Sequence, residues 1–216
     1  MFIGHYGVAY AAKAVAPKAP LAAYFLAVQA LDVLFSVFVL SGIEHMEIVH
    51  KYTSYNPYRL YDMPITHSLV GSLGWAVAVG IVAALLRLPR RESLWLGLAV
   101  FSHFVLDLLV HTPDLSIAGN DTAKLGLGLW NNVPLVIVLE LLVLLGGWVL
   151  FNRSKRPDAT FPKQRNRIFV GILAVVTVVT PFMPDPASPT AFAVQALVLY
   201  CALAWASAWS VGMLSR

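Results

Sequence analysis

Long apolar runs separated by short polar breaks dominate the chain. Six of them, over 21–43, 65–88, 93–111, 133–151, 168–183 and 191–214, read as full-length helices. A bilayer core of about 30 Å calls for roughly 20 apolar residues in a helix. A shorter run over 2–16 comes first and ends at Pro17-Lys18-Ala19-Pro20, which cannot continue a helix. It is too short to cross and is expected as a re-entrant or half-spanning helix. The segment 44–63 reads as a loop whose Tyr52, Tyr55, Tyr58 and Tyr61 suit an interfacial aromatic belt. The pattern predicts an all-α fold: a polytopic membrane helix bundle of about six transmembrane helices plus the short leader, without internal repeats. Residues 1–216 form one integral membrane domain, with 1–150 as the candidate metal-site region. Residues 151–216 add a basic loop and two accessory helices.

Composition agrees. Of 216 residues, 59% are hydrophobic and 12% charged, against about 25% charged in soluble domains. The net charge of +4 is read as cytoplasmic loops facing anionic lipid, and not as nucleic-acid binding. Cys201 is the single cysteine, which excludes an intrachain disulfide and any CxxC metal site. The start lacks a basic region and a cleavage site, so no removable signal peptide is expected. Arg87, Arg90 and Arg91 fall between the second and third runs. Arg153, Lys155, Arg156, Lys163, Arg165 and Arg167 fall between the fourth and fifth. With six spans, these two loops share a side with Lys13, Lys18 and Arg216. The positive-inside rule makes loops 87–91 and 153–167 cytoplasmic.

Against this apolar background a few polar residues stand out. His103, Asp107 and His111 recur every four residues, which places them along one helix face. Three ionisable side chains on a buried membrane face are costly unless partners or water meet them. At about 1.5 Å of rise per residue, His103 lies about 18 Å in from Arg91, Asp107 about 24 Å and His111 about 30 Å. Asp32 is about 20 Å from Ala19, and Glu140 about 18 Å from Asn152. A leader folded back against the first span puts His5 about 18 Å from Pro17. His5, Asp32, His103, Asp107 and Glu140 thus share a level near mid-membrane. His67, about 30 Å from Arg87, and His111 line the approach from outside.

Each position has a plainer reading. A single membrane Asp or His commonly serves as an interhelical hydrogen bond, and this applies to Asp32 and Glu140 taken alone. His67, between Thr66 and Ser68, fits a helix cap. Glu44, His45, Glu47 and His50 read as a solvated loop face. Asp114 fits a loop residue, a partner behind a ligand, or a ligand.

Imidazoles and carboxylates together suit zinc, manganese or ferrous iron, and this many donors exceed the needs of one tetrahedral ion. Two ions could grip a phosphate and activate water. No Gly-x-Ser-x-Gly elbow and no phosphate-cradling Gly-rich loop occur.

Gly4-His5, Asp32, Thr66-His67-Ser68 and Ser102-His103 with Asp107 resemble the membrane-bound metal-dependent hydrolases of bacteria. Val110-His111-Thr112-Pro113-Asp114 and Gly126-Leu127-Gly128-Leu129-Trp130-Asn131 look like one branch of that group. The resemblance covers about residues 1–150. Its order of ligands is similar to that of zinc-dependent phospholipases C. It implies His5, Asp32, His67, His103, Asp107 and His111 as metal ligands, zinc as the ion (one or two), and a phosphoester substrate, possibly lipid in character. Two departures stand. Ala30-Leu31-Asp32 replaces the Pro-Asp of many members, and Val136 occupies the place of the His in a His-x-x-x-Glu ending at Glu140.

The leading expectation is a metal-dependent hydrolase of a phosphoester, with membrane lipid as surroundings or substrate. His111 serves there as ligand or general acid/base, and Glu140 as an orienting or proton-accepting group. The alternatives are a proton-coupled transporter that uses the His/Asp cluster as a relay, and a structural or regulatory membrane protein.

Overall fold

A computed structural model describes residues 1–154 and 162–212. Lys155, Arg156, Arg216 and the end of the last predicted run lie outside the described residues. Among them the chain forms eight α-helices and two small antiparallel sheets. Four helices are long and apolar enough to cross a membrane, or five spans if one bent pair counts as a single crossing.

The leader folds as α1 (His5–Val15) and is buried: Ile3, Tyr6, Ala9, Tyr10 and Ala12 have no accessible surface. It can sit inside the bundle because glycines meet glycines. A Cβ on Gly7 would overlap the Val143 carbonyl, and one on Gly147 would overlap the Gly7 carbonyl. Such small-residue contacts let helix backbones approach closely in a membrane. The partner is α6 (Val133–Ser154).

The predicted run 21–43 is not one helix. It breaks at Gln29 into α2 (Leu21–Val28) and α3 (Ala30–Ser41), bent by 55°. Gln29 leaves helical geometry at ψ 8°, and its buried side chain donates from Nε2 to the Phe2 carbonyl, 3.2 Å away. The predicted loop 44–63 is also corrected. It contains a hairpin of β1 (His45–Ile48) and β2 (Tyr58–Asp62), with Met46 and Leu60 turned inward.

The run 65–88 shortens to α4 (Leu69–Leu85), 17 residues capped by Ser68, whose Oγ accepts from Gly71 N. Then come α5 (Arg90–Val110), a short sheet of β3 (Leu115–Ser116) and β4 (Lys124–Leu125), α6, α7 (Lys163–Val179) and α8 (Pro189–Ser210). Three connections gather at one end of the bundle. Asn120 Nδ2 donates to Asp62 Oδ1 at 2.6 Å, and His50 Nδ1 lies 2.7 Å from Asp185 Oδ2. Near the start of α5, Glu92 Oε1 accepts from Lys18 N at 3.1 Å, tying the α1–α2 turn to the α4–α5 turn.

Candidate metal centre

α5 supplies the axis of the site. His103 and Asp107 are one turn apart on its buried face, and His111 follows immediately after the last helical residue. His103 Nε2 lies 3.0 Å and His111 Nε2 3.3 Å from Asp107 Oδ2. His67, just ahead of α4, brings Nε2 to 3.9 Å from the same oxygen. Asp32 on α3 closes the other side: its Oδ1 is 3.3 Å from His67 Nε2 and 3.4 Å from His103 Nε2. His5, from α1, places Nε2 3.2 Å from Asp107 Oδ1 and stacks on His103 with ring centroids 4.0 Å apart. The α-amino group of Met1 is 2.6 Å from that same Oδ1. All six residues singled out as ligands thus meet in one cluster.

Three imidazoles are anchored from behind. His103 Nδ1 lies 2.7 Å from the Val28 carbonyl. Val28 is the last residue of α2, where the carbonyls of a helix lack intrahelical partners, so the break at Gln29 leaves an acceptor for His103. His111 Nδ1 lies 2.8 Å from Asp114 Oδ1, and Thr112 Oγ1 donates to Asp114 Oδ2 at 2.8 Å. His67 Nδ1 lies 2.8 Å from Thr66 Oγ1, which donates to Glu44 Oε2 at 2.6 Å. With Nδ1 anchored in this way, each ring turns Nε2 inward, and a tautomer protonated at Nδ1 would leave Nε2 free to ligate. Metal-binding histidines are commonly held this way by carboxylates or backbone carbonyls.

The donor set fits a divalent transition ion. His5 Nε2 and His103 Nε2 are buried facing the Asp107 carboxylate, and His103 also faces Asp32, so a cation held among these donors would satisfy them together. Two donor groups have ligand atoms within 4.8 Å of one another: His5 with His103 and Asp107, and Asp32 with His67 and His103. They share His103, whose Nδ1 is engaged, and one Nε2 ligates one ion. A pair of ions would therefore divide the histidines; Asp107 Oδ2 faces His67, His103 and His111, while Oδ1 faces His5 and holds the Met1 α-amino group.

Glu140 sits apart from this convergence. It is fully buried, and it accepts from Phe2 N at 3.2 Å, Gly4 N at 3.0 Å and Tyr55 Oη at 3.3 Å. It caps the free N–H groups at the start of α1 and so fixes the turn that carries His5.

Glu44 corrects the solvated-loop expectation. It has no accessible surface, and besides Thr66 Oγ1 it accepts from Ile65 N and Thr66 N at 2.7 and 3.0 Å. His45 and His50 do remain exposed. Sequence reasoning also passed over Tyr200 of α8, whose Oη donates to Asp32 Oδ2 at 2.9 Å, so an accessory helix reaches the site. Trp130 packs on His111 with ring centroids 4.0 Å apart. Its loop is locked to the end of α5 by Gly128 N donating to the His111 carbonyl at 2.7 Å. Gly126 takes φ +151°, and a Cβ there would overlap the Thr112 carbonyl.

A cavity of about 730 Å³ adjoins the cluster, bordered by Asp32, His67, Asp107 and His111 and roofed by the hairpin. Outside the membrane helices, burial pushes the Tyr58 hydroxyl at its rim up to about 12, aided by the charges of Asp185 and Asp32. Tyr58 therefore lines the cavity as a neutral hydroxyl near neutral pH. No family model, curated protein or solved structure matches the chain.

Proposed function

We propose that this protein is a membrane-embedded, metal-dependent hydrolase of phosphoesters, with zinc as the expected ion. The observation that carries the reading is the shared orientation of His67, His103 and His111. Each is held at Nδ1 from behind, and each turns Nε2 toward Asp107. Their inner nitrogens converge on the carboxylates of Asp107 and Asp32 and on one another, a donor set of the kind that holds a divalent transition ion.

His67, His103, His111, Asp32, Asp107 and His5 would hold the ion or ions. A divalent ion there would polarise a phosphoryl oxygen and activate a water. Hydrolysis forms a P–O bond to water and breaks the ester P–O bond, so one proton leaves the water and one reaches the departing alkoxide. His111, backed by Asp114 and bordering the cavity, would serve either as a ligand or, off the metal, as the group that carries that proton. Tyr200 steadies Asp32, and Trp130 covers one face of His111 against water.

In a bacterial inner membrane, the α2–α3 pair and α4 would complete six crossings beside the four long helices. Seventeen residues are at the short limit for a span. The gathering of 44–63, 112–126 and 180–188 at one end is the alternation such a topology requires. The hairpin end is then outside, and loops 87–91 and 153–167 are cytoplasmic.

Detergent-purified protein should carry about one to two equivalents of zinc and hydrolyse a soluble phosphodiester such as bis(p-nitrophenyl) phosphate. Both properties should vanish when His103→Ala and Asp107→Ala are combined. Metal-free protein that drives proton-coupled uptake in vesicles would overturn the reading in favour of a transporter.

A further inference from the structure

We propose that the hairpin turn 49–57 is a lid over the cavity, closed in this structure and held shut by two catches, Tyr55 on Glu140 and His50 on Asp185. The lid stands on geometry alone; its bearing on turnover rests on the hydrolase reading above. The need for it lies in the cluster, which is all but shut off. His67 and Asp107 expose 2% of their side chains and His111 4%, although all three border a cavity of about 730 Å³. Groups so covered offer almost no surface to a ligand larger than an ion, so part of the wall must move to admit one. Loops that close over a site and exclude water commonly move in this way.

The turn is built to move as one piece. Every residue from His50 to Tyr58 except Tyr52 lines the cavity. Hydrogen bonds close the turn on itself. Thr53 Oγ1 donates to the Asn56 carbonyl at 2.9 Å and accepts from Tyr55 N and Asn56 N at 3.3 and 3.0 Å. Asn56 Oδ1 accepts from Tyr58 N at 3.0 Å, and Val49 N donates to the Pro57 carbonyl at 2.8 Å. The strands beneath are fixed, because Met46 and Leu60 are buried and Asp62 accepts from Asn120. Ile48 and Tyr58, the last paired residues of the two strands, are therefore the stems on which the turn swings.

Its ties to the rest of the bundle are fewer. Among the described residues, two hydrogen bonds leave the turn. Tyr55 Oη donates to Glu140 Oε1 at 3.3 Å, and His50 Nδ1 lies 2.7 Å from Asp185 Oδ2. The outer catch is open to water, with 75% of the His50 side chain and 34% of that of Asp185 exposed. Such a pair holds only weakly. The inner catch is buried, but Glu140 keeps the N–H groups of Phe2 and Gly4 when Tyr55 withdraws. Opening thus strands no buried carboxylate, and the internal bonds of the turn survive it. Segments that open easily are those with few ties to the body of the protein.

The test uses the full chain with Cys201→Ser, which removes the one native thiol. Spin labels on Ser54→Cys, exposed in the turn, and on Leu85→Cys, exposed at the far end of α4, report the distance from lid to bundle. Tyr55→Phe with Asp185→Asn removes both catches and keeps side-chain size. It should raise the share of a longer distance about tenfold. In a second protein, His50→Cys and Asp185→Cys are joined by a short, reducible bis-methanethiosulfonate. Removal of bound zinc by a chelator and rebinding of the hydrated ion should both slow about tenfold, with affinity unchanged, until the link is reduced. An unchanged distance in the protein without catches would overturn the lid, as would zinc exchange equally fast with and without the link. A changed zinc affinity in the linked protein would make the turn part of the scaffold of the site, and would overturn it too. A protein that binds no zinc yet shows the longer distance keeps its lid and loses the metal-dependent hydrolase reading alone.

Discussion

His103 and Asp107, one turn apart on α5, meet with Nε2 and Oδ2 3.0 Å apart, while His103 Nδ1 is held 2.7 Å from the carbonyl that ends α2. Asp107 Oδ2 also faces His67 and His111, and Oδ1 faces His5. Asp107 is thus the member common to every histidine of the cluster. Asp107→Asn should weaken zinc binding more than any single histidine substitution, because it removes anionic charge from all of them at once. The bound metal of purified variants, measured beside His5→Ala and His111→Ala, checks this. Equal metal content in Asp107→Asn and wild type would show that the carboxylate is no ligand.

Glu44 acts at one remove. It orders Thr66, and Thr66 orders the ring of His67. Glu44→Gln keeps the size of the side chain and loses the charge that steadies this relay. Partners behind metal ligands are typically worth about 10–100-fold in affinity. A drop of that order in zinc affinity, with the thermal midpoint of the metal-free protein little changed, is expected. A lowered midpoint with unchanged affinity would assign Glu44 to the hairpin junction alone.

The part of this site written along α5 was legible in the sequence, because helical spacing places His103 and Asp107 on one face whatever surrounds them. Depth counting also set His5 and Asp32 at the level of His103, and the structure brings both against that ring. It set His67 and His111 nearer the outside, yet both reach Asp107 Oδ2. The break at Gln29 has no proline or glycine to announce it. It follows from long-range contacts, with the Gln29 side chain reaching Phe2 and the Val28 carbonyl reaching His103. The hairpin did leave a signal in the alternation of His45-Met46-Glu47-Ile48 and Arg59-Leu60-Tyr61. Tyr200 left none: an Asp32 partner more than 160 residues away is visible only in the fold.

The position of His5 depends on the α1–α6 contact. Gly147→Ala would drive a methyl group into the Gly7 carbonyl. Overpacking of this kind costs about 1–3 kcal/mol. A lower thermal midpoint and weaker metal binding should appear together, because α1 carries His5 away from Asp107 as it shifts. Gly146→Ala, where an added Cβ meets nothing within 4 Å, is the matched control and should change neither property.

The hairpin should loosen in acid through Asp62. Partial burial opposes its ionisation, but hydrogen bonds with His45 and Asn120 and the nearby charges of His45 and Lys124 outweigh that. They hold its carboxyl below the ordinary range. A carboxyl whose value is lower in the folded state stabilises that state above its unfolded value, near 3.9. That contribution is lost as the pH falls through the folded value. Amide exchange in β1 and β2, corrected for intrinsic rates, should therefore report more frequent opening as the pH falls below about 4. Asp62→Asn cannot ionise, so it should show the looser hairpin already at neutral pH and a flatter response to acid. Exchange that rises equally steeply in both proteins would place the acid sensitivity elsewhere, with the Glu47–Arg59 pair on the same hairpin next to be substituted.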